Sequence, residues 1–180
     1  EAGGVLRWGI PRYRLPLATL QDEIRRIEES GVRIQTGKRI SPKDMEQFAE
    51  EYDALFIACG HGRSASLGVP GEELPGVRDG LAFLREIREG THPPCNGLSA
   101  VIGGGNAAID VARSIIRLGG KTLIIYRRRR QDMPAFGEEI TMALDEGVAL
   151  RELLAPVSIK GADGGLVVTV RPMKITGTDA

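Results

Sequence analysis

Residues 101–108 read Val-Ile-Gly-Gly-Gly-Asn-Ala-Ala, and no other stretch narrows the possible folds as much. The spacing is G-x-G-x-x-A, with Gly103, Gly105 and Ala108 in the three fingerprint places. Gly103 permits a tight turn out of a strand, the missing Cβ at Gly105 lets a diphosphate approach the backbone, and the small Ala108 lets the next helix pack close. That helix offers the anion its unpaired N–H groups and the positive end of its dipole. The context the motif needs is present. Leu98–Ile102 before it and Lys121–Tyr126 after it are apolar strand-like runs. Between them, Asn106–Leu118 has helical periodicity, with Ile109, Ala112, Ile115 and Ile116 facing the expected core. A glycine turn that merely packs a helix on a sheet is the plain alternative, but three consecutive glycines suit packing alone poorly. Gly103, Gly104, Gly105, Asn106, Ala107 and Ala108 are the expected cofactor contacts here.

The second strand ends in Tyr126-Arg127-Arg128-Arg129-Arg130. A β-α-β unit that binds NAD carries an Asp or Glu at this place to bond the ribose 2′-hydroxyl. A carboxylate would repel a 2′-phosphate, whereas guanidinium groups bind it through charge-assisted hydrogen bonds. Two such contacts allow roughly 100-fold discrimination between cofactors. Arg127 and Arg128 are the expected phosphate ligands, followed by Arg130, and the implied cofactor is NADPH. A solvated basic loop and a nucleic-acid patch are the competing readings of the run.

Composition weighs against the nucleic-acid patch. The 180 residues hold 24 basic and 24 acidic side chains, so no general attraction to nucleic acid or an anionic membrane exists. Aromatics are only 4%, too few for a stacking surface. The hydrophobic share of 42% and charged share of 27% suit a globular chain. No apolar run reaches the roughly 20 residues of a membrane span. The first residues lack the apolar core of a signal peptide, and a cytoplasmic protein is expected. Cys59 and Cys95 form no CxxC, so neither a disulfide scaffold nor a four-cysteine metal site is expected, and no metal ligand is assigned.

Elsewhere helices and strands alternate, which predicts an α/β fold with a Rossmann-like, doubly wound parallel sheet. Helices are predicted at 17–30, 43–51, 80–89 and 134–146, the last with Pro134 in its first turn. Val32–Gln35 reads as a short strand, and Ala54–Ala58 as a strand buried on both faces. Thr91–Gly97 reads as a linker. The runs 148–159 and 165–171, separated by Gly161, Gly164 and Gly165, predict a C-terminal antiparallel hairpin.

Three segments in order carry a resemblance. Leu6–Pro16 (LRWGIPRYRLP) looks like an L-x-x-G-I-P-x-x-R-L-P segment, Val101–Arg113 (VIGGGNAAIDVAR) is similar to an NADPH fingerprint, and Tyr126–Ala135 (YRRRRQDMPA) matches Y-R-R-x-R-x-x-M-P-A. Together they resemble the family of glutamate synthase small subunits, dihydropyrimidine dehydrogenase and related NADPH:ferredoxin oxidoreductases. The resemblance implies a flavoprotein in which an NADPH domain is inserted into an FAD domain. Hydride passes between NADPH and FAD, and electrons are exchanged through iron–sulfur clusters with a partner or large subunit. Ala54–Gly60 (ALFIACG) looks like the strand that closes the first FAD-domain portion, with Cys59 where Thr is usual, which brings Gly60 into the expected cofactor contacts. Val69–Glu72 resembles the following I-P-G-E loop. Asn106 and Ala107 replace a common Asp-Thr, and Asp110, retained, joins the expected contacts.

The family's N-terminal FAD fingerprint, its cluster domain and its final FAD segment find no match. The implied organisation is therefore an internal fragment: 1–78 as a partial FAD-domain segment and 79–180 as an NADPH domain incomplete at its C-terminus. Such a fragment is expected to bind FAD poorly by itself. His61 is expected to be exposed in its glycine loop, and Cys59 to be a small packed residue. Arg7, Arg12 and Arg14 are either solvated or hold loops against an acidic neighbour. No acid/base pair or nucleophile triad is present, and hydride transfer requires none, because orientation of the two rings carries it. A non-catalytic NADPH-binding or sensing module of the same fold is the alternative function.

Overall fold

Parallel strands cannot be joined by a tight turn and need a crossover, usually a helix; residues 98–125 provide one. The computed structural model describes residues 1–62 and 64–177. The chain forms two compact units, Glu1–Gly62 and Arg63–Ala180. The expected NADPH domain runs to Ala180, and its residues 178–180 lie outside those described.

In the second unit, β1 (Leu98–Ile102), β2 (Lys121–Ile125) and β3 (Ala149–Arg151) form a parallel sheet in the order β1-β2-β3. Leu98 pairs with Lys121 and Ile102 with Ile125, and Leu123 pairs with Ala149. Helix α5 (Asn106–Arg117) crosses over from β1 to β2 and packs on both strands, while α4 (Gly80–Glu89) and α6 (Gly137–Asp145) pack against α5. The apolar stripe read from the sequence is the buried one: Ile109, Ala112 and Ile115 join Val101, Ile124, Ile140 and Val148 in the core, with Ile116 half-buried beside them. Thr122, buried in β2, donates its hydroxyl to the Ala112 carbonyl at 3.1 Å, so its polar atom is not stranded in the core.

The antiparallel hairpin is present as β4 (Leu154–Ala162) and β5 (Gly165–Pro172). The run 148–159 is nevertheless not one strand. It breaks at Leu153, whose φ of 55° is the sole positive value among the described non-glycine residues. Before this corner the chain extends the parallel sheet; after it, the chain enters the hairpin. The loop at Val69–Glu72 docks on β4 through an Ile159 N–H to Pro70 carbonyl bond of 2.8 Å. Glu72 accepts from the Ser66 hydroxyl and from the Leu67 and Gly68 amides, and these bonds hold its carboxyl below the usual range.

The helix expected at 134–146 begins only at Gly137. Residues 133–136 are not helical: Met133 has φ −72° and ψ 130°, Phe136 has φ −61° and ψ 132°, and the chain bends at Pro134 and Ala135 between them. Met133 and Ala135 are buried while Pro134 and Phe136 face solvent.

The first unit contains α1 (Gly4–Trp8), α2 (Leu17–Glu29) and α3 (Pro42–Glu51), with α1 packed on α2 around buried Leu20. Ser41 and Asp44 build a capping box at the start of α3. Those bonds and Lys38, 3.3 Å away, pull the Asp44 carboxyl down to about 2. Two expected strands do not form: 32–36 and 54–60 are irregular. Phe56 is 94% and Ile57 72% exposed. A β-strand is stabilised by its neighbours' ladder bonds and side chains, and no described segment pairs with either run. Cys59, expected to be packed, is exposed for the same reason. His61 is exposed, as expected.

Candidate functional site

The carboxyl ends of parallel strands are where an open α/β sheet receives its ligands, and the glycine turn leaves β1 at that end. Gly103 takes φ 139°, a value that L side chains rarely adopt, and a Cβ there would lie 3.4 Å from the Ala108 methyl. Its N–H continues the sheet by bonding the Ile125 carbonyl at 3.1 Å. Gly104 is buried, and a Cβ there would stand 2.6 Å from the Tyr126 ring, inside any real contact distance. Gly105, the residue before α5, has φ −86° and ψ 171°. Nothing lies within 4 Å of where its Cβ would be. The three glycines therefore do three jobs: a turn, a seat for Tyr126 and an open approach.

Asn106, Ala107 and Ala108 form the first turn of α5; the Ala108 N–H bonds the Gly105 carbonyl at 3.0 Å, and the amides of Asn106 and Ala107 are among those that a helix's own ladder does not satisfy. Asp110 sits on the same helix at 2% exposure, within the body of the unit. The Asn106 side chain turns toward the loop after β2, where its Oδ1 accepts from the Phe136 N–H at 3.0 Å.

That loop is tied down along its length. The Tyr126 N–H donates to the Arg151 carbonyl at 2.9 Å, the Leu154 N–H to the Tyr126 carbonyl at 3.0 Å, and the Leu153 N–H to the Arg128 carbonyl at 3.2 Å. The Tyr126 hydroxyl donates to the Asp132 carbonyl at 2.8 Å. The Ala135 N–H donates to the Gly104 carbonyl at 3.2 Å. Between these anchors, Arg127 and Arg128 are exposed.

The four arginines are not equivalent. Arg129 is committed: its Nε and Nη2 each reach the Asp132 carboxylate at 2.9 Å. The pairing raises the Arg129 guanidinium further and holds the Asp132 carboxyl below its ordinary range. Arg130 sends Nη2 to the Thr141 hydroxyl at 3.1 Å, and its backbone N–H bonds Glu152. It also lines a shallow cleft of about 540 Å³ with Leu144, Leu150, Arg151, Glu152 and Leu153. Gly60, with φ 67° and open space around it, lies in the first unit.

Sequence reasoning located the turn and the arginine run but missed Tyr126, Asp132, Leu153 and the inward Asn106 contact. The alternating Met-Pro-Ala-Phe pattern is the available signal for the non-helical segment. Among the described residues no group of three His, Cys, Asp or Glu side chains could hold a metal ion. None of their helices is long and apolar enough to cross a membrane.

This chain is similar to several known proteins. The family model described as pyridine nucleotide-disulphide oxidoreductase matches residues 11–171. The NADP(+)-dependent formate dehydrogenase subunit beta of Moorella thermoacetica is 41% identical over 170 residues, which is 92% of this chain and 24% of that one. The glutamate synthase [NADPH] small chain of Halomonas elongata is 35% identical over 178 residues, 91% of this chain and 37% of its own length. The chain thus spans between a quarter and two fifths of these relatives. Among solved structures, the 6-hydroxypseudooxynicotine amine oxidase of Pseudomonas geniculata N1 superposes with a TM-score of 0.66 at 19% identity, covering 94% of this chain and 26% of that one, which shows a shared fold.

Proposed function

The chain belongs to the pyridine nucleotide-disulphide oxidoreductase family, and from that premise we propose that it is the NADPH-handling part of a flavin-dependent oxidoreductase. One observation carries the reading most strongly. The approach to Gly105 is open at the start of α5, while a neighbouring, anchored loop presents two exposed arginines, Arg127 and Arg128.

The residues suit the cofactor. The diphosphate of NADPH fits against Gly103, Gly104 and Gly105, facing the first turn of α5, where Asn106 and Ala107 offer backbone N–H groups and Ala108 lets the backbone approach, at the positive pole of the helix. Arg127 and Arg128 supply charge-assisted hydrogen bonds to a 2′-phosphate, with Arg130 at the edge of that site. Asp110 lies buried one turn into the same helix. When bound, NADPH would supply a hydride to a flavin, and in this reading Gly60 would be one of the residues that hold FAD. The chain's own residues bind and orient, and no side chain is required as acid or base. In this reading residues 1–78 serve the flavin and 79–180 serve NADPH. The whole protein works in the cytoplasm in the manner of a glutamate synthase small subunit, exchanging electrons through iron–sulfur partners. The names of the relatives, a formate dehydrogenase subunit that uses NADP(+) and a glutamate synthase chain that uses NADPH, support the choice of cofactor.

The test is calorimetric. The protein should bind NADPH more tightly than NADH. Arg127→Glu should weaken NADPH by roughly tenfold or more, the value of one charge-assisted contact, and leave NADH nearly unaffected. Equal affinities of the unsubstituted protein for the two cofactors would refute the reading.

A further inference from the structure

We propose that the Asn106 side chain is a positioning residue that sets NADPH preference by latching the arginine loop to the glycine turn. The proposal rests on the NADPH reading above and extends it to a group that need not touch the cofactor through its side chain.

Four contacts carry it. The Asn106 Oδ1 is occupied by the Phe136 N–H at 3.0 Å, so this oxygen is already engaged with the loop. The Ala135 N–H bonds the Gly104 carbonyl at 3.2 Å, making a second tie one residue away. The Tyr126 ring lies where a Gly104 Cβ would be, and the Tyr126 hydroxyl bonds the Asp132 carbonyl at 2.8 Å. Residues 127–136 therefore form a closed arch with both feet on the glycine turn, and Arg127 and Arg128 stand on it. The bent, non-helical segment 133–136 has no helical ladder of its own to hold it. The Asn106 amide is one of two hydrogen bonds joining its far end to the turn.

The chemistry separates this role from direct binding. NADH and NADPH share the diphosphate and both rings, and differ only at the 2′-phosphate. A side chain that gripped the diphosphate would serve both cofactors equally. A latch that acts through the arch serves only the one that reads the arginines.

The experiment measures dissociation constants of NADP+ and NAD+ by calorimetry on the full-length protein. Asn106→Ala, which keeps the backbone N–H, should weaken NADP+ by roughly threefold to tenfold more than NAD+, the range of one net hydrogen bond. Phe136→Pro removes the same donor from the other side, at a φ of −61° that proline adopts without strain. Against Phe136→Ala, which keeps the N–H, it should lower the NADP+ to NAD+ preference by a similar factor. The double variant should add nothing to Phe136→Pro, because both changes delete one bond. If Asn106→Ala is too unstable to purify, the two Phe136 variants decide alone. Equal weakening of both cofactors, or an unchanged ratio, would overturn the latch. If the unsubstituted protein shows no preference at all, the NADPH reading fails and the latch with it. A normal preference that ignores these substitutions removes the latch alone.

Discussion

Gly104 and Gly105 are neighbours that answer the same substitution in opposite ways. An alanine Cβ at 104 would meet three atoms of the Tyr126 ring at 2.6–3.0 Å. A buried ring held by its own hydroxyl bond has little room to yield, so Gly104→Ala should cost about 1–3 kcal/mol of stability, as overpacking does. At 105 the backbone is extended and the space empty, so alanine fits the protein and obstructs only a ligand. Gly105→Ala should keep its melting temperature and lose NADPH affinity by roughly tenfold or more. Thermal melts and calorimetry on the pair separate a folding glycine from a binding one. The sequence shows only that three glycines stand together. The reason for the middle one is an aromatic ring 22 positions away along the chain, and no local spacing rule can reach it.

At the scale of elements, α5 and α6 are joined by charge as well as by apolar packing. Arg113, with a side chain only 5% exposed, bonds Glu139 and grips Glu146 through Nε at 3.1 Å and Nη2 at 2.7 Å. Arg117 adds a contact to Glu146 at 2.5 Å. These partners, Arg113 first, pull the Glu146 carboxyl from its ordinary 4.5 to about 2. A depressed folded value means the unfolded chain takes up the proton first. The stabilisation is therefore complete above pH about 4.5 and is lost as pH falls toward 2. Glu146→Gln should lower the urea midpoint at pH 7 and flatten its decline across that acid window. Arg113→Met leaves Glu139 without this partner while Glu146 keeps Arg117, and should cost about 1–3 kcal/mol. The elements that the sequence predicts well, α5, β1 and β2, are those whose periodic apolar residues face one another. The start of α6 is misread because Pro134 resembles a first-turn proline, whereas bonds from the Ala135 and Phe136 amides to the glycine turn and Asn106 hold that stretch out of the helix. The strands expected at 32–35 and 54–58 fail differently. Their patterns are sound, but a ladder needs a second segment, and none is paired with them.

Across the whole molecule, the consequence of that missing ladder is exposed apolar surface. Tyr52, Leu55, Phe56 and Ile57 all face solvent in the first unit. A run of this kind binds hydrophobic dyes and pairs with other chains. The 180-residue chain should bind anilinonaphthalene sulfonate and scatter light as its concentration rises, and Phe56→Lys with Ile57→Lys should suppress both. Unchanged dye binding in that double variant would show that the run is covered. In the second unit a different kind of junction matters. The left-handed turn at Leu153, which costs a non-glycine residue about 1–2 kcal/mol, donates its N–H to the Arg128 carbonyl, and its own carbonyl accepts from the Met173 N–H at 2.8 Å. One peptide corner is thus a shared rivet between the ribbon and the loop that carries Arg127 and Arg128. Anyone grafting a foreign hairpin onto this scaffold inherits a constraint: the transplant must keep that corner, or the backbone of the arginine loop loses one of its anchors without a single arginine being altered.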